Sequence, residues 1–117
     1  MEKNPNPTVH VEVLNGSRPG VVIIRAQGPL DITNFGEFEQ ITRRNEAPIL
    51  IVDLAEVPYI DSAVLGSMVA MHVASARHQR KYALVNANQR IQNMLTVSGV
   101  GEVLVSFRTV EEAESAL

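Results

Sequence analysis

The chain of 117 residues is long enough for one compact domain and too short for two ordinary ones. Its 45% hydrophobic residues are typical of a globular protein, and its 4% aromatic residues disfavour base stacking on single-stranded nucleic acid. Cysteine is absent, which excludes disulfides, thiolate metal sites and cysteine nucleophiles. The net charge is −3 and no long run of one sign appears, which disfavours a nucleic-acid-binding patch.

The N-terminal segment, residues 1–7, is polar and rich in proline, so we expect a flexible arm and no signal peptide. Residues 8–117 are predicted to form a single domain. Within it, residues 8–14 and 21–26 carry β-branched side chains on either side of a run of turn formers, which predicts a hairpin. No apolar run reaches the ~18 residues of a membrane span.

The next predicted elements are a helix over residues 32–44 and a strand over residues 48–54. Asp31 has a side chain favoured at a helix N-cap, so we expect it to cap that helix. The predicted helix has an apolar stripe made of Ile32, Phe35, Phe38 and Ile41. Residues 48–54 are apolar apart from Asp53, and such a run is typical of a central strand that is covered on both faces.

The longest predicted helix runs from Ser62 to about residue 78. Its predicted core face carries Leu65, Met68, Val69, His72, Val73 and Ala76, with the histidine at the edge of the core. Its other face carries Ala63, Gly66, Ser67, Ala70 and Ala74. Because this second face is unusually small and weakly polar for a solvated surface, it is a candidate docking surface.

Two further strands and two further helices complete the chain. We predict a strand over residues 82–86, a helix that Asn88 caps and glycines end, a strand over residues 103–107, and a helix over residues 110–117 that Thr109 caps. Strand–helix–strand units impose parallel pairing. The sequence therefore predicts an α/β fold: a mixed sheet of about five strands with about four helices, in which a hairpin precedes βαβ repeats.

Catalytic and metal-binding motifs do not assemble in this sequence. The histidines, His10, His72 and His78, do not stand with carboxylates at metal-ligand spacing. Ser62 lacks the Gly-x-Ser-x-Gly turn of α/β hydrolases, and no glycine-rich phosphate-binding motif is present. The basic cluster at residues 77–81 is interpreted as cations that complement a helix dipole. We therefore predict a binding or switch module with no enzymatic activity, no cofactor and no metal.

Asp61 and Ser62 stand where the link after the central strand meets the longest helix. Both residue types are favoured helix caps, worth ~1 kcal/mol relative to alanine, so the pair could be a cap and nothing more. It could equally be a place where one phosphate changes a surface, because phosphorylation of Ser62 would add about −1.5 to −2 charges. The residues alone leave both interpretations open.

Four segments in register resemble the STAS domain family (sulfate transporter and anti-sigma antagonist), and in particular its anti-sigma factor antagonists. Residues 28–31, Gly-Pro-Leu-Asp, resemble the family's Gly-Glu-Leu-Asp after the second strand. Residues 49–54 are similar to its central strand, and residues 60–66, Ile-Asp-Ser-Ala-Val-Leu-Gly, to its phosphorylation motif Asp-Ser-Ser/Thr-Gly-Leu-Gly. Residues 91–100, with Ser-Gly near their end, resemble its Leu-Phe-x-x-Ser-Gly-Leu helix end.

The resemblance implies partner switching in bacterial transcription regulation. An anti-sigma factor, often also a histidine-kinase-like ATPase that phosphorylates serine, binds the unphosphorylated antagonist and releases its sigma factor. Phosphorylation of the motif serine, Ser62 here, breaks that complex, and a PP2C-type phosphatase resets it. The domain would be a cytoplasmic protein that is a substrate and a ligand, with no direct contact to nucleic acid. The implied partner-binding residues are Asp31, Asp61, Ser62, Ala63, Val64, Ser67 and Ala70.

Three departures from the family pattern keep other functions open. Val64 stands where the motif has glycine, Pro29 replaces its acidic residue, and residues 79–81 lack the usual glycines. We expect Val64 to add bulk two residues beyond Ser62 and so to bear on the partner's identity and on phosphorylation. The alternatives are a STAS scaffold that is not phosphorylated, such as an accessory subunit of a transporter or a signalling assembly, and a small-molecule or nucleotide sensor.

Overall fold

A mixed five-stranded sheet with the order β1-β2-β3-β4-β5 forms the centre of the computed structural model, which describes residues 9–117. The strands are β1 (His10–Asn15), β2 (Val21–Gln27), β3 (Ile49–Glu56), β4 (Lys81–Val85) and β5 (Ser106–Phe107). β1 and β2 are antiparallel, and the three later pairs are parallel. The arm predicted at residues 1–7 lies outside the described residues.

Four helices cover the two faces of the sheet: α1 (Gly36–Arg44), α2 (Ser62–Arg77), α3 (Gln89–Val97) and α4 (Val110–Ala116). The predicted α/β class, with a hairpin followed by βαβ units, is confirmed. In the described part of the chain, no helix combines the length and the apolar character that a membrane crossing requires.

Side chains alternate along the central strands, so one strand contributes to both cores. Val52 and Leu84 point into the larger core, which α1, α2 and α3 cover. Their chain neighbours Ile51 and Val85 point into a smaller core beneath α4, where Ala113 meets them. This two-sided burial explains why β3 begins with four consecutive apolar residues, 49–52.

Two of the predicted helix caps are confirmed by direct hydrogen bonds. The Oδ1 atom of Asn88 accepts from the N–H of Ile91 at 2.9 Å, and the Oγ1 atom of Thr109 accepts from the N–H of Glu112 at 3.1 Å. These caps satisfy N–H groups that the first turn of a helix leaves without partners. They are local signals, since donor and acceptor lie three residues apart.

The predicted cap at Asp31 is wrong, because α1 begins only at Gly36. The carboxylate of Asp31 accepts from the N–H and the hydroxyl of Thr33, and its carbonyl accepts from the N–H of Phe35 at 3.1 Å. These bonds close a turn ahead of the helix. Ile32 is consequently outside the helix and 67% exposed, whereas the rest of the predicted stripe packs against the larger core.

The predicted strand over residues 103–107 is also shorter in the structure. The carbonyl of Val100 accepts from the N–H groups of Val103 and Leu104, at 3.0 and 2.8 Å, which makes a turn. That turn buries Leu104 completely and leaves Val103 exposed. Only Ser106–Phe107 then pairs with β4.

The core face of α2 is rotated relative to the prediction. Val64, Leu65, Met68, Met71 and Ser75 are the buried residues of the helix. Val73 and Ala76, which were expected in the core, are exposed. Residues of this helix are small or apolar around most of its circumference, so their periodicity carries little information about which side faces the sheet.

Candidate functional site

The loops that follow β2 and β3 run side by side at the carboxyl end of the sheet. The N–H of Gly28 donates to the carbonyl of Glu56 at 2.9 Å, and the N–H of Leu30 donates to the carbonyl of Tyr59 at 3.1 Å. Leu30 also forms an isolated parallel bridge with Ile60. Because the two loops are paired, Asp31 and Asp61 emerge at the same end of the molecule.

Asp61 joins the two loops to α2 through a single carboxylate. Its Oδ1 atom accepts from the N–H of Val64 at 3.0 Å, which caps the helix. Its Oδ2 atom accepts from the N–H of Ile32 at 2.9 Å, which holds the loop after β2. Both oxygens of the carboxylate therefore accept a hydrogen bond. They hold the loop that contains Asp31 against the start of α2.

Ser62 is the first residue of α2 and is exposed. Within residues 9–117, its hydroxyl has no hydrogen-bond partner. Of the Asp61–Ser62 pair, Asp61 is the helix cap, so the interpretation of the pair as a cap holds for Asp61 and does not involve the Ser62 hydroxyl. The serine side chain has no structural task here, and it stands at a helix N-terminus, where free N–H groups and the helix dipole favour an added anion.

A stripe of small side chains extends from Ser62 along the solvent side of α2. Ser62, Gly66, Ala70 and Val73 follow one another at helical spacing and are all exposed. A methyl group added at Gly66 would have nothing within 4 Å, so the fold does not require glycine there. We call the surface formed by Ser62, Gly66, Ala70 and Val73 the outer stripe of α2.

Ala63 and Ser67 lie beside the outer stripe and are partly buried. The Oγ atom of Ser67 donates to the Oε2 atom of Glu39 at 2.8 Å, which ties α2 to α1. Glu39 in turn forms an ion pair of 3.5 Å with Arg43. Of the two predicted serines, Ser67 therefore has a structural partner and Ser62 does not.

Val64 does not lie on this surface. Its side chain is fully buried in the larger core, although Ser62, two residues earlier, is exposed. The prediction that Val64 is a partner-binding residue is therefore wrong, and the bulk expected two residues beyond Ser62 lies in the core. Its β-branched side chain fills space beneath the helix.

Asp31 is partly exposed at the rim of the same end, and its carboxylate is engaged by Thr33. The hydroxyl and the N–H of Thr33 hold the pKa of Asp31 below its usual value. Asp31 and Asp61 are thus two acidic groups on the paired loops around the start of α2, and Asp31 is the one whose position is set by a turn rather than by a helix.

Sequence reasoning missed one apolar residue of this end, Ile32. It is 67% exposed, and its N–H is held by Asp61. The available signal was the order Asp-x-Thr in residues 31–33, since an aspartate that binds the N–H two residues on makes a turn and not a helix start.

The buried carboxylate of Asp53 has a structural role. The buried Asp53 accepts from Arg25 at 3.1 Å, from Asn86 at 3.0 Å and from the N–H of Ala55 at 3.0 Å, so its bonding capacity is taken up by the fold. Across residues 9–117, no group of three or more histidine, aspartate or glutamate side chains could hold a metal ion.

Comparisons with known proteins agree with this fold. The family model of the STAS domain matches residues 15–113. The chain is similar in structure to a putative anti-sigma factor antagonist from Thermotoga maritima, with 21% identity and a TM-score of 0.81, over 91% of this chain and 92% of that one. It is also similar to the Bacillus cell fate determinant SpoIIAA in its phosphorylated form, with 17% identity and a TM-score of 0.68, over 92% of this chain and 98% of that one.

A similar fold also occurs inside a much larger protein. The murine anion transporter Slc26a9 matches with 17% identity and a TM-score of 0.72, over 92% of this chain but only 22% of the transporter. Identities this low show a shared fold and do not by themselves carry a function across.

Proposed function

Because the chain belongs to the STAS domain family, we propose that it is an anti-sigma factor antagonist controlled by phosphorylation of Ser62. In its unphosphorylated form it binds an anti-sigma factor that is also a serine kinase. Phosphorylation ends the complex, and a PP2C-type phosphatase restores it. The chain is then a substrate and a ligand and not an enzyme, and it works in the bacterial cytoplasm, where the kinase has ATP.

The observation that carries this proposal is the exposed Ser62 hydroxyl, which makes no hydrogen bond within the described chain. A kinase must reach an acceptor hydroxyl from outside, and it need not break any contact to use this one. The Asp61 carboxylate, which is fixed by two hydrogen bonds, holds the first turn of α2 in place while the hydroxyl reacts.

A phosphate on Ser62 would leave the fold intact. The N-terminus of a helix carries roughly +0.5 of an elementary charge, and α2 is 16 residues long, so its first turn accommodates an anion. The adjacent Asp61 opposes the added charge, but Ser62 has no contacts to lose. We expect a phosphorylated protein that is as well folded as the unmodified one.

The same phosphate would disrupt a docked partner. The outer stripe of α2 is formed by small and apolar side chains, and Ile32 adds an exposed apolar group next to Asp61. A partner that packs on this surface must remove water from the phosphate on Ser62, at the edge of the surface. Desolvating a phosphate of about −2 charges beside a carboxylate is costly, so the complex would dissociate.

The buried position of Val64 supports this proposal over an unphosphorylated scaffold. The substitution of valine for the motif glycine was the reason to expect an altered docking surface. Since the Val64 side chain is 0% exposed, it cannot contact a partner. The valine that replaces the motif glycine therefore packs in the larger core and leaves the docking surface unchanged.

An accessory role in a transport assembly is the second candidate function. It is favoured by the fold similarity to 22% of the anion transporter Slc26a9. In that role Ser62 would need no phosphate, and the partner would be a transporter subunit. The two candidates differ in what a negative charge at Ser62 does.

The proposal is tested by titrating the anti-sigma factor kinase of the same organism with the wild-type chain and with Ser62→Asp. We expect the substitution to weaken binding at least ~10-fold, about 1.4 kcal/mol, because its charge stands at the edge of the docking surface. Ser115→Asp is the matched control, since this exposed serine lies on α4, across the sheet from α2. Equal affinity of Ser62→Asp and wild type would exclude the proposed mechanism.

A further inference from the structure

A cavity of about 450 Å³ lies at the opposite end of α2 from Ser62. It opens between the last turns of α2 and the first residues of β4, and its apolar wall is formed by Ala76, Val105 and Leu117. Its volume is within the range of about 300–1,000 Å³ that is usual for small-molecule sites. The site proposed for phosphorylation does not include any of these residues.

Two buried polar atoms belong to residues that line this cavity. The Nδ1 atom of His72 and the hydroxyl oxygen of Tyr82 are both shielded from solvent, and neither has a hydrogen-bond partner among residues 9–117. Tyr82 as a whole is 3% exposed. Buried polar groups in folded proteins are almost always paired, so two orphans on one cavity need an explanation.

The tyrosine hydroxyl remains a hydrogen-bond donor at physiological pH. Burial raises the pKa of Tyr82 well above its ordinary value, because the phenolate would be poorly solvated there. A neutral phenol can donate one hydrogen bond to an acceptor that enters the cavity. A carboxylate or phosphate oxygen is a strong acceptor for such a donor.

The mouth of the cavity is cationic. Arg80 and Lys81 line it, and in the described part of the chain neither forms an ion pair. No carboxylate side chain is among the lining residues. Arg80 and Lys81 belong to the basic cluster at residues 77–81, which was interpreted as complementing the helix dipole. Because α2 ends at Arg77, these two residues lie beyond the helix.

The turn that presents these cations is conformationally strained. Gln79 has a φ of 59°, in the left-handed region that glycine occupies without cost. The chain nevertheless has a glutamine there, and this glutamine lines the cavity. Gln79 therefore places a polar side chain at the cavity, at a position where the backbone conformation favours glycine.

We propose that this cavity binds a small amphipathic anion, whose acidic group faces Arg80 and Lys81 and whose short apolar part packs on Ala76, Val105 and Leu117. Binding would shift the side chains that shield the orphaned polar atoms of His72 and Tyr82, and these atoms would then form hydrogen bonds with its polar end. The acidic group is a carboxylate or a phosphate, which present the same acceptor chemistry. The chemical class is that of a medium-chain fatty acid or an alkyl phosphate.

The experiment titrates octanoate and octyl phosphate separately into the full chain and follows the amide resonances by NMR. At least one of them should shift the amides of residues 79–82 saturably, with a dissociation constant of about 1 mM or tighter. Octan-1-ol and octylammonium are the matched probes without the negative charge. Each should bind at least ~10-fold more weakly than the anion that binds. No saturation with either anion, or equal binding of octylammonium, overturns the proposal.

Variants separate the cavity from general attraction to a basic surface. Arg80→Gln should weaken octanoate or octyl phosphate about 10-fold, whereas Arg77→Gln, which removes the same charge from an exposed residue outside the cavity, should have no effect. Tyr82→Phe keeps the ring and removes the hydroxyl, and it should weaken binding several-fold. If Arg77→Gln and Arg80→Gln act alike, or if Tyr82→Phe binds as wild type does because water alone serves the buried atoms, the proposal is wrong.

Discussion

The two ends of α2 differ in how they leave a polar group without a partner. At the N-terminal end, the Asp61 carboxylate accepts hydrogen bonds from the N–H of Ile32 and the N–H of Val64. The group there that has no hydrogen bond is the hydroxyl of Ser62, which faces solvent. At the C-terminal end, the unbonded groups belong to His72 and Tyr82 and are buried.

Each end is suited to a different kind of chemistry. A free hydroxyl in water costs nothing, because water satisfies it, and it is accessible to an enzyme that modifies it. A free hydroxyl that is buried costs stability until something binds it. The N-terminal end is therefore suited to covalent modification and the C-terminal end to a small ligand.

The largest effect is expected at the satisfied end, from Asp61→Ala. This variant removes both hydrogen bonds of the carboxylate, and a lost cap costs ~1 kcal/mol and at most about 2. With the added loss of the bond to Ile32, we expect the free energy of unfolding to fall by about 2 kcal/mol. Urea denaturation measures it.

Ser62→Ala is the control for Asp61→Ala, because the serine has no contacts to lose. It should change the free energy of unfolding by less than about 0.5 kcal/mol. Asp61→Asn should fall between the two, since an amide has one acceptor oxygen for two N–H groups. Equal stability of Asp61→Ala and Ser62→Ala would mean that Asp61 does not hold this end together.

The next largest effect is a gain of stability at the unsatisfied end, from Tyr82→Phe. In the absence of ligand, removing a buried hydroxyl that has no partner should raise the free energy of unfolding by about 1–2 kcal/mol. Thermal and urea denaturation measure it. Tyr59→Phe, in a partly exposed ring that stacks 5.0 Å from Arg90, should be neutral. A destabilised Tyr82→Phe would show that the hydroxyl is already satisfied.

A smaller gain is expected from Gly66→Ala on the outer stripe of α2. Alanine is favoured over glycine within a helix by about 0.8–1.0 kcal/mol, and an added methyl group meets nothing within 4 Å. The variant should therefore be more stable by up to that amount and yet bind the anti-sigma factor more weakly. Unchanged binding would remove Gly66 from the docking surface.

The smallest effect concerns the turn at Asp31. Its pKa is lowered chiefly by the Thr33 hydroxyl, so Thr33→Val should raise it towards 3.8. Since the folded pKa lies below the unfolded one, the stabilisation is present above about pH 4 and is lost as the pH falls through the lowered folded value. NMR titration of the Asp31 carboxyl measures the shift, and an identical pKa in both proteins would contradict the assigned cause.

Local signals in the sequence predicted much of this fold. Asp61, Asn88 and Thr109 each bind an N–H three residues on, so a short stretch of sequence contains both the donor and the acceptor. The parallel sheet followed from the order of strands and helices. Asp31 misled the prediction because the same side chain that caps helices also closes a turn with Thr33.

What the sequence could not predict depends on contacts between distant residues. The burial of Val64 depends on how α2 is rotated on the sheet, and an apolar helix gives little indication of that rotation. The cavity brings His72 and Tyr82 together with Val105 and Leu117, which are far apart in sequence. The exposure of Ser62 was foreseeable from its position, but its freedom from hydrogen bonds follows from Asp61 taking the cap.

Phosphorylation of Ser62 is tested by incubating the full chain with ATP and the anti-sigma factor kinase of the same organism, and mapping phosphate by mass spectrometry. We predict one phosphate on Ser62, none in Ser62→Ala, and unchanged modification in Ser67→Ala, whose hydroxyl is bound to Glu39. A phosphate on another residue, or no phosphate on the folded wild-type chain, would show that Ser62 is not the phosphorylation site.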